Sequence, residues 1–190
     1  MIKMFSIRVI VSIGMGISYF VFAAVISGCS KKENVAAEEP DRAVYQERIN
    51  QLVDDGLDFE LGDSVNEIIK TLGKPKDIQV DKIKNVHYPD EIVDEIHRLY
   101  YDGLYVQIYK ATEGNKELLQ ALSITSNKFK VKLGLNVGTT KTEIRRTLGN
   151  PSNDSDDMWS YVYTEGYPNT VQFYFENDAV TKIEWSYWID

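Results

Sequence analysis

Two histidines, one cysteine and 29 Asp and Glu residues are the groups in this 190-residue chain that acid–base, nucleophilic or metal chemistry could draw on. His87 and His97 are spaced as no zinc motif spaces its ligands, and no Cys lies near them to complete a site. They read as surface or partly packed histidines. Asn153-Asp154-Ser155-Asp156-Asp157 has oxygen ligands in the manner of a calcium loop, but lacks its central Gly and its distal bidentate Glu. It reads as a solvated turn before Trp159. No serine sits in a nucleophile-elbow pattern, and no Gly-rich loop follows a strand and opens a helix. The many carboxylates single out no pair. No catalytic residue, metal or cofactor is expected.

The aromatics are the remaining signal, with 12 Tyr, 7 Phe and 3 Trp. In Val171-Gln172-Phe173-Tyr174-Phe175 the apolar residues alternate with Gln172 and Tyr174, and Leu104–Tyr109 shows the same period. Half-buried antiparallel strands look like this. If Val106, Ile108, Val171 and Phe173 fill the core, then Tyr105, Gln107, Tyr109, Gln172 and Tyr174 face the other way. Tyrosine gives large contact area at low entropy cost, and glutamine gives adaptable hydrogen bonding. These five residues form the candidate partner-binding face, expected to be open and poor in charge. Tyrosine also suits strands in general, and the other half of the chain could equally cover this face.

The elements that position those strands are set by a repeat. Glu67-Ile68-Ile69-Lys70-Thr71-Leu72-Gly73-Lys74-Pro75 returns as Glu143-Ile144-Arg145-Arg146-Thr147-Leu148-Gly149-Asn150-Pro151, 76 residues on. Ser64 with Glu67, and Thr140 with Glu143, form capping boxes. Short helices over 65–72 and 141–148 then end at Gly73 and Gly149, before prolines that forbid continuation. Val65, Ile68, Ile69 and Leu72 make a packing stripe, of which the second copy keeps only Ile144 and Leu148, so its helix is expected to pack less deeply. Asp102-Gly103 marks a hairpin between Leu99–Tyr101 and Leu104–Tyr109, with Leu118–Ile124 as a further strand. Trp159–Tyr163, Val171–Phe175 and Val180–Trp188 answer in the second copy. The first copy carries eleven extra residues, placed within Asp81–Ile96 and read as a loop with one helical turn. Helix then antiparallel meander, twice, is an α+β plan with helices on one face of each sheet.

The pattern Gly-x-[Ser/Thr]-x-x-Glu-Ile-x-x-Thr-Leu-Gly-x-Pro, followed by Trp159-x-Tyr161 and the Val171–Asp178 strand and turn, resembles the SmpA/OmlA (BamE) outer-membrane lipoproteins. It is also similar to the units of the β-lactamase inhibitory protein (BLIP-like) family. The resemblance covers about 57–190. It implies two tandem units, each with helices packed on one face of a four-stranded antiparallel sheet, and a concave sheet surface that grips a partner protein. The expected divisions are a signal at 1–28, a tether at 29–40, a leading helix plus first unit at 41–126, and a second unit at 127–190. The function implied is a non-catalytic binding module for an envelope or secreted protein. The alternative is an accessory scaffold of an outer-membrane protein assembly complex, although the BamE type has one unit where this chain has two.

The N-terminus is read as an export signal. Lys3 and Arg8 precede an apolar stretch from Val9 to Ile26. Ile26-Ser27-Gly28-Cys29 resembles the lipobox of bacterial lipoproteins, which implies cleavage before Cys29 and acylation of its thiol. A retained transmembrane helix is the competitor, weakened by Ser12, Gly14, Gly16 and Ser18. Several acyl chains give stable membrane attachment. Ser30, rather than Asp, after the cysteine resembles sorting to the outer membrane, facing the periplasm. Residues 30–40 read as a flexible tether, and 41–55 as a helix that docks on the first unit. The net charge of −8 becomes more negative without Lys3 and Arg8, so nucleic acid is not an expected partner.

Overall fold

The computed structural model describes residues 42–85 and 92–189. The signal, the tether, Cys29 and the His87-Tyr88-Pro89 segment lie outside the described residues.

Among the described residues three α-helices and eight strands follow in order. Helix α1 spans Arg42–Asp54 and α2 spans Val65–Leu72; β1 (Asp77–Lys84), β2 (Val93–Tyr100), β3 (Leu104–Ala111) and β4 (Lys116–Ile124) come next. After α3 (Lys141–Leu148), the strands are β5 (Asn153–Asp154), β6 (Met158–Val162), β7 (Thr170–Glu176) and β8 (Ala179–Ser186). Asp102-Gly103 turns the chain between β2 and β3 as its sequence implies, with Gly103 at φ 83° and the Tyr101 N–H donating to Leu104 O at 2.8 Å. The ends of Asp81–Ile96, expected as loop, are not loop. Asp81–Lys84 and Val93–Ile96 are strand residues, and β1 pairs with β2 from Asp77↔Tyr100 to Lys84↔Val93. These residues extend the β1–β2 ladder, because Ile83 and Val93 suit strands and the ladder satisfies their backbone groups.

The sheet is the main correction. Two four-stranded units were expected, but all eight strands form one antiparallel sheet in the order β1-β2-β3-β4-β8-β7-β6-β5. The two meanders meet at their last strands, β4 pairing with β8 from Ala121↔Ser186 to Ile124↔Ile183. On the helix side of that seam Leu122, Ile124, Ile183 and Trp185 are all buried. A small unit alone exposes two sheet edges and encloses little apolar volume. Joining edge to edge removes two of those edges and pools one core.

The helices cover one side. Ser64 and Thr140 each accept from the N–H of the glutamate three residues on. The Glu143 carboxylate reaches back to the Thr140 N–H at 2.9 Å, while that of Glu67 takes the Asp63 N–H at 3.1 Å instead. Gly73 (φ 80°, ψ −171°) and Gly149 (φ 75°, ψ −157°) close the helices in an extended positive-φ region that only glycine reaches, not the left-handed helical one.

Two packing expectations are reversed. Helix α1 lies against α3, β6 and β7 rather than on the first half of the chain. Its Leu52 carbonyl accepts from the Trp185 indole at 2.8 Å, and Arg48 donates to Thr147 O at 3.1 Å. Gly56 permits this approach, since a Cβ there would lie 2.6 Å from Trp185 Nε1. Covered by α1, helix α3 packs more deeply than α2, not less: Ile144 and Leu148 are both buried, against Ile68 alone in α2.

Candidate functional site: the outward face of the sheet

Paired residues of an antiparallel ladder project to the same side, so the registers fix which residues share the outward face. Leu104, Val106 and Ile108 are buried on the helix side, while Tyr105, Gln107 and Tyr109 alternate with them, half-buried. Across the sheet Val171, Phe173 and Phe175 are buried, and Gln172 and Tyr174 are half-buried between them. All five candidate residues therefore sit on the face away from the helices. They form two groups rather than one, because β4 and β8 separate β3 from β7. Three strand spacings put the groups roughly 14 Å apart.

Between the two groups, one row of the face is small and the next carries Glu184. Gln107 pairs with Ala121, Ala121 with Ser186, and Ser186 with Thr170. In the next row Tyr105 pairs with Ser123, Ser123 with Glu184, and Glu184 with Gln172. The face thus carries tyrosines on β2 and β3 at one side and Tyr174 on β7 at the other.

That face is not poor in charge, as the alternation alone implied; its charges are paired. Arg98 holds Asp81 through its guanidinium and donates from Nε to Gln107 Oε1 at 3.0 Å. The Tyr105 hydroxyl donates to the same Gln107 oxygen, and Gln107 Nε2 donates to Gln120 Oε1 at 2.8 Å. The Tyr100 and Tyr105 rings lie 5.2 Å apart. Burial raises the Tyr105 hydroxyl above its ordinary range, so it stays a donor. On the β7 side Tyr174 donates to Gln172 at 3.0 Å, and Lys182 sits 3.7 Å over the Tyr174 ring while pairing with Glu184 at 2.6 Å. Polar side chains held this way need little ordering when a partner arrives.

Tyr109 is set apart. Its hydroxyl donates to Asp94, whose carboxylate also accepts from Thr112 N at 2.8 Å and Asn85 Nδ2 at 2.7 Å. Asp94 is fully buried. Desolvation pushes its carboxyl up, but the bonds from Tyr109, Thr112 and Asn85 outweigh it and hold the group below its ordinary value.

Residues with chemistry of their own lie elsewhere. His97 Nε2 is 2.9 Å from Glu95 Oε2 on the helix side of β2, and that bond is the first cause of the lowered Glu95 carboxyl. Among the described residues no hydroxyl or thiol is bonded to His97, so no nucleophile is supplied there. A cleft of about 270 Å³ beside the 54–63 loop is lined by Asp54, Asp55, Glu60, Asp63 and Glu67 over Leu119, Leu122 and Tyr187. Burial, then Asp54 and Asp55, raise the Tyr187 hydroxyl, which stays protonated. Among the described residues no three His, Cys, Asp or Glu are grouped to hold a metal ion. The Asn153–Asp157 segment is mostly exposed, and its Asp154 pairs with Arg145 at 3.0 Å.

Sequence reasoning missed Arg98, Tyr100, Gln120, Ala121, Ser123, Lys182 and Glu184. Alternation within a strand reports its face, whereas these residues enter the site only through inter-strand register.

No family model and no curated protein matches the chain. Among solved structures, it is similar to the uncharacterized protein yfeY from Escherichia coli, at 11% identity and a TM-score of 0.38, over 73% of this chain and 95% of that one. A likeness at that level carries over neither an activity nor a partner.

Proposed function

We propose that this protein is a non-catalytic, lipid-anchored binding module of the bacterial cell envelope, attached to the outer membrane through Cys29. Its partner is an envelope or secreted protein that seats on the outward sheet face. The observation that supports this reading is the pair of tyrosine and glutamine groups on one sheet face whose polar atoms are already bonded to one another. Among the described residues the three α-helices pack on the opposite side of the sheet, where the buried apolar residues lie. Rigid aromatics with adaptable amides are the composition of protein-binding surfaces.

Two experiments test it. Cys29→Ala should abolish incorporation of a fatty-acid analogue and processing of the signal; equal labelling of both proteins would end the anchoring half. For the face, the wild type and a Tyr105→Ser, Tyr174→Ser variant are used to capture partners from detergent-solubilised membranes. The variant should keep its thermal stability and lose capture by tenfold or more, about 1.4 kcal/mol. Unchanged capture by the variant would refute the face. A stoichiometric complex with barrel-assembly proteins, lost in the variant, would move the reading to an assembly scaffold of the BamE type.

A further inference from the structure

Between the first two turns of α1, the end of α3 and the end of β6 lies a cleft of about 510 Å³, within the size range of small-molecule sites. Part of its lining is apolar: Ile49 and Leu148 are buried and Val162 is half-buried. The rest selects by charge. Arg42 and Arg145 line the cleft and no Asp or Glu does, in a protein of net charge −8. The cleft beside the 54–63 loop is the opposite case, lined by carboxylates with no Lys or Arg. Two guanidiniums in one cleft disfavour a cation and favour an anion, whose oxygens an arginine meets with parallel N–H donors.

Arg145 is already oriented. Its Nη2 donates to Asp154 at 3.0 Å, and its guanidinium lies 4.6 Å over the Trp159 ring. A side chain held in this way loses little rotamer freedom when a ligand arrives. Asp154 offsets that one charge. Arg42 is exposed and has no ion pair among the described residues, so the lining stays net positive. Bare carbonyls at the end of α3 would repel an anion, but three of them are taken. Arg145 O accepts from Gly149 N at 2.8 Å, Thr147 O from Arg48 at 3.1 Å, and Gly149 O from the Tyr161 hydroxyl at 3.1 Å. The Tyr45 hydroxyl and the Asn150 side-chain amide also line the cleft, and no other described residue bonds to them.

We infer that this cleft binds a small organic anion, a phosphate or carboxylate carried on a compact apolar body. The anionic group pairs with Arg42 and Arg145, and the apolar body lies against Ile49, Leu148 and Val162. This site does not depend on the tyrosine face.

The test is a titration of the full chain, followed through its backbone amides by NMR. Phenyl phosphate and benzoate are the anionic probes, benzylamine is the cation of similar shape, and inorganic phosphate is the anion without an apolar body. At least one of the two aromatic anions should shift the amides of Gln46, Gly149 and Thr164 saturably, and benzylamine should not. Inorganic phosphate should bind about tenfold more weakly than the better aromatic anion. Arg42→Gln, at an exposed position, keeps the fold and should weaken binding by about tenfold. Arg145→Lys keeps a charge but loses the planar fork, and should weaken it as well. The Tyr105→Ser, Tyr174→Ser variant should bind as the wild type does, so failure of the face and failure of this cleft are told apart. Hexanoyl lysophosphatidic acid, kept below the concentration at which it forms micelles, identifies the source. Binding tighter than either aromatic anion assigns the site to lipid headgroups, and weaker binding assigns it to free organic anions. No saturable shift with either aromatic anion overturns the inference. So does equal binding of benzylamine, or an affinity that Arg42→Gln and Arg145→Lys both leave unchanged.

Discussion

Tyr105 and Tyr109 share a strand and a face, and their sequence contexts do not tell them apart. Tyr105 lends its hydroxyl to Gln107, a half-buried amide that solvent or a partner can also reach. Tyr109 lends its hydroxyl to Asp94, a carboxylate with no exposed surface. Removing a donor from a buried acceptor leaves desolvation uncompensated, so Tyr109→Phe should cost about 1–3 kcal/mol in chemical denaturation. Tyr105→Phe should fall near zero, and equal costs would show that Asp94 is not the cause. The same group gives a pH dependence. The folded carboxyl is held below the ordinary 3.8, so the stabilisation is fully present above that value and is lost as pH falls through the lowered folded one. In Asp94→Asn that part of the acid sensitivity should disappear. Alternation made the tyrosine face legible, but Asp94 became its partner only through the β2–β3 register.

The positions of caps and stops were legible because they are local: Ser64, Thr140, Gly73 and Gly149 act within a turn of their own helices, although only Thr140 and Glu143 complete the expected capping box. Docking was not, since the face a helix presents does not say which neighbour takes it. The two closing glycines isolate that difference. Both have positive φ, so alanine strains either backbone by roughly 1 kcal/mol or more. At Gly73 a Cβ would meet nothing within 4 Å, whereas at Gly149 it would lie 3.1 Å from the Tyr45 ring on α1. Gly149→Ala should therefore destabilise more than Gly73→Ala, and the excess should shrink when Tyr45 is first changed to Ala. If the two glycine variants cost the same, α1 does not rest on the end of α3. The length of the β1–β2 ladder was misread for a related reason. Lys82, Lys84 and several acids in its sequence imitate a loop, and the pairing that makes it strand is with Val93–Tyr100, remote along the chain.

At the scale of the molecule, the repeat announced each meander but not how the two meet. A strand carries no local mark saying whether its edge is to be solvated or paired, so β4 against β8 could not be read from either copy. The seam has a thermodynamic consequence. Leu122 and Ile124 on one side face Trp185 and Ile183 on the other, all buried, in a single core. Trp185 also bonds through its indole to Leu52, 133 residues earlier, so it joins α1 to both meanders. Two units with separate sheets would unfold in two steps, whereas one sheet with a shared core should unfold in one. Loss of tryptophan fluorescence and loss of far-ultraviolet circular dichroism should then follow the same denaturation curve. Trp185→Ala should remove about 3–5 kcal/mol from that single transition, and exchange should quicken on β2 and β3 as much as on β6 and β7. If only the β5–β8 half loosens while Leu99 and Val106 stay protected, the seam is a contact between independent halves and not part of one fold.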